Sequence, residues 1–530
     1  MAQKDKRKKG RSVSNFRVIL FGLIVLFSIV LIVSLVALFV AFDYMEGYFI
    51  ASIVVLFLLD LVLAIFIANS QLQVDFKVSW LAVILALPLA GAIIYLIFAQ
   101  KPTIHGKIMK RNIELHESID IGYRKNDEVL EKLRTENNKA FEIANTLDKT
   151  SKFATYQNTG FQYFKLGEEG FPKMVEELKK AKRFIFFEFF IIEYGEFLDT
   201  IYDILVNKVK EGVDVRFIYD DFGSAAKVNQ FFYERAREDG IKCFAFNKMR
   251  PTIDFRQNNR DHRKILIIDG VTAFSGGCNI ADEYINKVQR FGHWKDNIFM
   301  IKGQAVDGYT NMFLSTWKFS NDLFAEDDDY TPFFYETNKD LDDGTLEREG
   351  FFTPYGDIPF DRINLARNAW LTIINRAQKY VYISTPYLIP DSQIITALKN
   401  KARSGVKVVI VTPGIPDKPI IYKCTRSYYT QLMIAGVEIY EYTPGFNHAK
   451  IIVSDDIIAS TGTTNMDYRS FYLHFECSLL LSNSKGILDI RDDMLGMIEA
   501  SKKISVVEYL RKNWLIRWGW AILRIIAPLF

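Results

Sequence analysis

The stretch Asp261-His262-Arg263-Lys264-Ile265-Leu266-Ile267-Ile268-Asp269 is followed a few residues later by Ser275-Gly276-Gly277-Cys278-Asn279. The pattern returns as Asn447-His448-Ala449-Lys450-Ile451-Ile452-Val453-Ser454-Asp455, then Thr461-Gly462-Thr463-Thr464-Asn465. Counted from each histidine, both copies carry Lys at +2, Asp at +7, Gly at +14 and Asn at +17. The chain has only six histidines, so two of them sharing four spaced partners mark an internal repeat. A repeat fixes the architecture before any other reading.

Working outward, each copy closes a half with the same order of elements. In the first half, helical spacing over 171–180 leads to the apolar run 184–192, then a helix near 198–209 and a strand near 213–219. In the second half, a helix over 362–376 precedes a strand at 380–384, a helix over 394–402 and a strand at 406–412. Glu211-Gly212-Val213 and Ser404-Gly405-Val406 correspond. Strand, helix and strand at these lengths read as βαβ units on a parallel or mixed sheet. The expected fold is therefore α/β, with two similar domains (111–345 and 346–500) packed as a pseudo-dimer. Between them, residues 321–349 hold eleven acids and two basic residues and read as a linker or surface loop. A tail over 501–530 mixes Trp514, Trp518 and Trp520 with Arg511, Lys512, Arg517 and Arg524. It reads either as an amphipathic helix packed on the body or as an interfacial helix.

The first 110 residues differ in kind and are expected to form a membrane anchor. Seven basic side chains and one acid in residues 4–17 precede Val18–Phe42, which runs 25 residues without a charge. As a helix it would span about 37 Å at 1.5 Å per residue, more than the ~30 Å hydrocarbon core. Two further candidates are 48–68, interrupted by Asp60, and 80–99, with Pro88 and Gly91 at its middle. The basic start argues for a cytoplasmic N-terminus, and Lys101, Lys107, Lys110 and Arg111 argue for a cytoplasmic exit. Three crossings cannot satisfy both, so either two or three of the segments cross.

Composition excludes some functions. The net charge is +3 and no basic patch lies outside the N-terminus, which argues against a nucleic-acid partner. The four cysteines are far apart with no CxxC pair, neither a disulfide framework nor a zinc site. In a strand, His at zero and Lys at +2 share a face while Asp at +7 faces away, so Asp is suited to structural hydrogen bonds behind a pocket. Lys is no metal ligand and no acidic cluster accompanies the histidines, so no metal or cofactor is expected. Paired His and Lys suit an anionic centre: Lys and the Asn amide neutralise non-bridging oxygens while His attacks or moves a proton. Two copies about one point would clamp a phosphodiester. The candidate catalytic set is His262, Lys264, Asp269, His448, Lys450 and Asp455, supported by Gly276, Asn279, Gly462 and Asn465.

The repeat HxK(x)4D(x)6GxxN resembles the paired signature of the phospholipase D superfamily. Gly276-Gly277-Cys278-Asn279-Ile280-Ala281-Asp282-Glu283-Tyr284, Asn465-Met466-Asp467-Tyr468-Arg469-Ser470-Phe471 and Thr385-Pro386-Tyr387 resemble the bacterial cardiolipin synthases within it. So does the anchor segment Leu87-Pro88 to Phe98, whereas Val18–Phe42 is additional to the usual two-helix anchor. The resemblance implies two phospholipase D-like domains and an enzyme of the bacterial plasma membrane. It also implies transfer of a phosphatidyl group between two phosphatidylglycerols, giving cardiolipin and glycerol through a phosphohistidine. A carboxylate is implied behind each imidazole, by position Asp296 for His262 and Glu476 for His448. Arg469 is expected to contact a lipid phosphate, the alternative being a helix cap, and His293 and His474 to pack beside the site. The alternatives are a membrane-bound phospholipase D using water as acceptor and, further off, a phosphodiesterase or nuclease of the same superfamily. The partners implied are phosphatidylglycerol and the bilayer.

Overall fold

A computed structural model describes residues 46–99, 126–248, 258–320, 329–359 and 363–529. They fall into two compact units, one holding 46–99 and 521–529, the other drawn from residues 126 to 520.

The larger unit carries the repeat. Its first half is organised on β2 (Phe184–Phe189), a strand of sequence FIFFEF buried at every position. Each buried phenylalanine contributes about 1.5–3 kcal/mol relative to exposure, so a run apolar at every position but Glu188 suits a central strand. Around it lie β1 (Thr159–Phe164), β3 (Asp214–Asp220), β4 (Lys242–Phe246), β5 (Lys264–Ile268), β6 (Thr272–Gly276) and β8 (Ile298–Gly303) in the order β1-β8-β6-β5-β2-β3-β4. β2, β3 and β4 run parallel and the other pairings are antiparallel. The second half uses β9 (Phe351–Asp357), β10 (Tyr380–Ser384), β11 (Lys407–Pro413), β12 (Glu438–Tyr442), β14 (Ile451–Ser454), β15 (Ile458–Gly462) and β16 (Glu476–Ser482). Read from β9, its order β9-β16-β15-β14-β10-β11-β12 repeats the first sheet, and β17 (Ser501–Lys503) extends it past residue 500. The mixed sheets and the expected helices, Gly167–Lys180, Glu196–Lys210, Leu365–Arg376 and Ser392–Arg403, agree with the sequence reading. Gly212 and Gly405 sit just past two of these helices at φ +88° and +90°, a left-handed conformation that ends a helix most cheaply with glycine.

Two short pairings stitch the halves together. β7 (His293–Lys295) runs parallel to β13 (Gly445–Asn447), and Asp261 forms a parallel bridge with Phe475. Each connects a motif of one half to a segment of the other.

The acidic segment between the halves departs from the linker reading where it is described. Phe333 packs against Phe184 and Phe186 with ring centroids 5.1 and 5.2 Å apart, and Phe334, Tyr335 and Asn338 are buried. Its acids are used: Lys302 pairs with Asp343 at 2.7 Å and Arg348 with Asp342 at 2.6 Å. Three consecutive aromatics outweigh the surrounding charge and fasten the segment to the first sheet.

In the smaller unit, a helix covers Glu46–Asn69 and the third apolar segment is broken into two, Val74–Ala86 and Ala90–Phe98. Pro88 supplies no N–H, and Leu89 takes a positive φ of +63°. A Cβ on Gly91 would lie 2.5 Å from the Val83 carbonyl oxygen, so only glycine permits the close return. The expected single span 80–99 is thus a tight helical hairpin. It packs Trp80, Ile84, Ile94 and Tyr95 around Ile67, and Ser79 Oγ donates to the Ile525 carbonyl. Val18–Phe42 lies outside the described residues. Among the residues whose side chains are described, no helix is long and apolar enough to cross a membrane.

Candidate active site

Each motif enters from a loop, runs along a fully buried strand and ends in a hairpin turn. Asp269 and Gly270 take φ of +52° and +67°, and Asp455 and Asp456 take +57° and +61°, a left-handed pair that Asp tolerates better than most side chains. The Asp269 carboxylate accepts from the backbone N–H groups of Lys182, Arg183 and Phe184 at 2.7–2.9 Å. Asp455 does the same with Gln378, Lys379 and Tyr380 at 2.8–3.0 Å. Each fastens the hairpin turn to the entry of the central strand. The structure places neither acid in the pocket, which removes both from the group that could touch substrate and fits the expectation that they lie behind it.

The imidazoles lie at the other end. His262 Nδ1 is 3.0 and 2.9 Å from the two Glu476 oxygens, and His448 Nδ1 is 2.5 Å from Asp296 Oδ2. The carboxylates are those expected, but the pairing is the reverse of the sequence assignment: each histidine is served by the other half. The backbone gives the reason. The His262 N–H donates to the Phe475 carbonyl, directly before Glu476, and the His448 N–H donates to the Lys295 carbonyl, directly before Asp296. The crossing extends one residue further. Asn297 Nδ2 donates to Thr461 Oγ1 at 2.9 Å, and Cys477 Sγ lies 3.6 Å from Ser275 Oγ. A carboxylate on Nδ1 fixes the ring and leaves Nε2 free for chemistry.

The lysines complete a cationic site. Lys264 Nζ donates to the His262 carbonyl at 2.6 Å, and Lys450 makes the equivalent bond to the His448 carbonyl. Burial pushes Lys264 down to about 8 and Lys450 to about 7. Burial, followed by Lys450, pushes His448 down to about 4, and burial followed by Lys264 holds His262 well below the usual imidazole range. His262 feels Lys450 and His448, and His448 feels Lys264, so the two copies share one electrostatic site. Burial and mutual repulsion work against charge on these groups, so an anion among them would favour their protonated forms.

The glycines make room. A Cβ on Gly276 would lie 2.3 Å from the Asn297 carbonyl oxygen, and one on Gly462 would lie 2.3 Å from that of Cys477. Asn279 is a brace rather than a free amide: Oδ1 accepts from the Ile191 N–H at 3.0 Å and Nδ2 donates to the Tyr284 hydroxyl at 2.7 Å. Asn465 is buried, with Oδ1 unpartnered. Arg469 Nε is 3.4 Å from His474 Nε2, and the His474 ring lies 5.5 Å from that of His262. His474 thus packs beside the site as expected. His293 is further out, with Nδ1 3.2 Å from the Tyr442 hydroxyl. Among the described residues, His262, His474 and Glu476 bring donor atoms close enough for a metal ion. The His262 atom facing Glu476 is Nδ1, already engaged with both carboxylate oxygens.

Several neighbours were given no role from the sequence. Phe190 meets the His262 ring edge-on at 5.0 Å, and Tyr284, Trp294 and Phe446 lie 5.5–5.7 Å from His448. Thr463, at +15 in the second copy, donates its hydroxyl to Glu476 Oε2. Its counterpart is Gly277, where a Cβ would fall 1.9 Å from Asp296 Oδ1. That mismatch was visible in the repeat, but its meaning depends on which carboxylate arrives from the other half.

Comparison with known proteins follows the same outline. The family described as cardiolipin synthase, phospholipase D-like domain, matches residues 174–317 and 370–498, and one described as phospholipase D-nuclease N-terminal matches 53–100. A cardiolipin synthase of Alkalihalophilus pseudofirmus is 32% identical over 499 residues, covering 93% of this chain and 97% of its own. One of Halalkalibacterium halodurans is 34% identical over 456 residues, covering 85% and 88%. The crystal structure of a phosphatidylserine synthase of Haemophilus influenzae matches with a TM-score of 0.55 at 14% identity, over 74% of this chain and 100% of that one; this is a likeness of fold.

Proposed function

The chain belongs to the family of cardiolipin synthases with phospholipase D-like domains, and from that premise we propose that it joins two phosphatidylglycerols into cardiolipin, releasing glycerol. The observation that carries the chemistry is the convergence of two imidazoles and two lysines from the two halves, each imidazole backed by the opposite half's carboxylate.

The reaction runs in two displacements. Lys264 and Lys450 hold the non-bridging oxygens of the first phosphodiester. Nε2 of one imidazole attacks phosphorus, the bond to the headgroup glycerol oxygen breaks, and the other imidazole, as imidazolium, gives that oxygen its proton. The phosphatidyl group now rests on histidine. The terminal hydroxyl of a second phosphatidylglycerol gives its proton to the second imidazole and attacks phosphorus, and the P–N bond breaks. Asp296 and Glu476 hold the rings and stabilise each imidazolium as it forms. Arg469, whose Nε lies 3.4 Å from His474 Nε2, would meet a second lipid phosphate.

We also read residues 1–110 as a multi-pass anchor. Val18–Phe42 and the helix Glu46–Asn69, whose Val55, Phe57, Leu59, Val62 and Phe66 are exposed, would cross the bilayer, with 74–98 as a re-entrant hairpin. Two crossings put both basic ends on the cytoplasmic side and remove the conflict that three create. The native cysteines that would confuse cysteine labelling are all buried. Single cysteines placed at 43–47, 69–79 and 101–112 should then label from outside only in the first loop.

The central test is product analysis. Purified protein in detergent with phosphatidylglycerol alone should give cardiolipin and glycerol in equal amounts without added divalent metal. Phosphatidic acid in place of cardiolipin would overturn the synthase reading and leave the hydrolase.

A further inference from the structure

The helix Trp514–Ile526, sequence WLIRWGWAILRII, has no buried residue along its length. Trp514, Trp518, Ile522 and Ile525 recur at spacings of four, four and three and so share one face. That face is turned outward: the four are 70, 63, 41 and 42% exposed, and Leu515 beside them is 55% exposed. The protein is met from another side, where the Trp520 ring stacks on Tyr509 at 5.5 Å. A helix of a globular protein normally hides its apolar stripe; this helix shows it.

Its charge is one-sided too. From Tyr509 to Phe530 the chain has Arg511, Lys512, Arg517 and Arg524 and no acid. Arg517 and Arg524 are seven residues apart, two turns along the same edge of the stripe. Tryptophan at the boundary, aliphatics below and arginine beside them match the layering of a bilayer surface: hydrocarbon, then glycerol backbone, then phosphate. A second protein chain would need a complementary acidic rim around an apolar groove, whereas an anionic leaflet offers both features everywhere.

We propose that this helix lies in the headgroup layer of an anionic bilayer, with the Trp514/Trp518/Ile522/Ile525 stripe inserted and Arg517 and Arg524 on lipid phosphates. It is an attachment additional to the N-terminal segments, which its last turn meets where Ser79 Oγ donates to the Ile525 carbonyl. It would keep the catalytic unit at the depth where phosphodiesters sit, and its hold would strengthen with the anionic lipid content of the leaflet. The choice of an anionic surface rests on the reading of the substrate as an anionic phospholipid, but the experiment that tests it reads position and not turnover, so either idea can fail alone.

The test uses the full chain with Trp518→Cys carrying an environment-sensitive fluorophore, reconstituted into vesicles with and without phosphatidylglycerol. With phosphatidylglycerol, emission should shift to the blue and lipids spin-labelled near the headgroup should quench it. Aqueous iodide should quench it at least about five-fold less than free dye, as expected for a helix roughly 5–10 Å deep. Adding Arg517→Glu and Arg524→Glu should return most of the iodide access while leaving turnover in detergent unchanged. Full iodide quenching in both vesicle types would overturn the proposal. So would protection that ignores lipid composition and lipid-borne quenchers, which would mean packing on protein. Disulfide formation between two chains of the unlabelled Trp518→Cys variant, with no response to lipid, would assign the stripe to a second copy.

Discussion

The two halves of the site share a plan and differ at one position that matters. At +15 the first copy has Gly277 and the second Thr463. Gly277 leaves space that the short Asp296 carboxylate fills, and Asp296 uses one oxygen on His448 Nδ1 and the other on the Asn297 N–H. Thr463 instead donates to the longer Glu476, which meets His262 Nδ1 with both oxygens. Burial pushes Glu476 well above the usual carboxylate range and pushes His262 well below the usual imidazole range, so burial works against charge on both members of this pair. The lesson is that twofold symmetry positions the groups while local differences set their proton affinities. A reaction that needs one imidazole to attack and the other to move protons is served by such inequality.

The largest effects should come from the imidazoles themselves. His262→Ala and His448→Ala should each reduce turnover by more than about 10³-fold, measured as cardiolipin formed by folded protein; a mild loss in either would break the idea of one joint site. The carboxylates sharpen the comparison. Asp296→Asn should cost about 10³-fold and Glu476→Gln nearer 10²-fold, because a neutral amide resembles a carboxyl already pushed toward neutrality. Equal losses would mean the two carboxylates do the same work. The +15 position comes next. Gly277→Ala would drive a methyl into Asp296 and should cost about 10²-fold, whereas Thr463→Ala removes the hydroxyl's bonds to Glu476 and to the Cys477 backbone, about 1–2 kcal/mol or roughly 10-fold.

The smallest effect is in pH. Lys450 at about 7 and Lys264 at about 8 are charged below those values and discharge above them. An anion raises both, so binding takes up protons and weakens as pH rises through this window. Vanadate affinity should fall above pH 8 by up to about 10-fold per pH unit for each lysine that takes up a proton, with proton uptake visible by calorimetry in two buffers. No change between pH 7 and 9 would remove the lysines from the anion site.

Much of this was legible because the repeat spans the local unit that does the placing. Strand alternation and a fixed turn predict that His262 and Lys264 share a pocket and that Asp269 lies behind it, and three backbone N–H groups on Asp269 bear this out. Partner choice was not legible. Asp296 and Glu476 each follow their own histidine at a plausible distance, but which ring they face is settled by β7 against β13 and Asp261 against Phe475, pairings that join residues more than 150 apart. Residues 329–349 misled for another reason: acids dominate the composition, while Phe333, Phe334 and Tyr335 dominate the packing. The hairpin at Pro88 was foreshadowed by Pro88 and Gly91, yet proline and glycine also occur in continuous transmembrane helices, and only the approach of Gly91 to Val83 decides between them.

The central claim is that each chain builds one complete site from its two halves. Co-reconstitution of the inactive variants His262→Ala and His448→Ala, at ratios from 1:9 to 9:1, tests it most directly. Turnover should stay at the level of either variant alone at every mixture, because no chain then holds both imidazoles. Restoration that peaks at equal amounts would mean the functional site is assembled between chains, and would contradict the account.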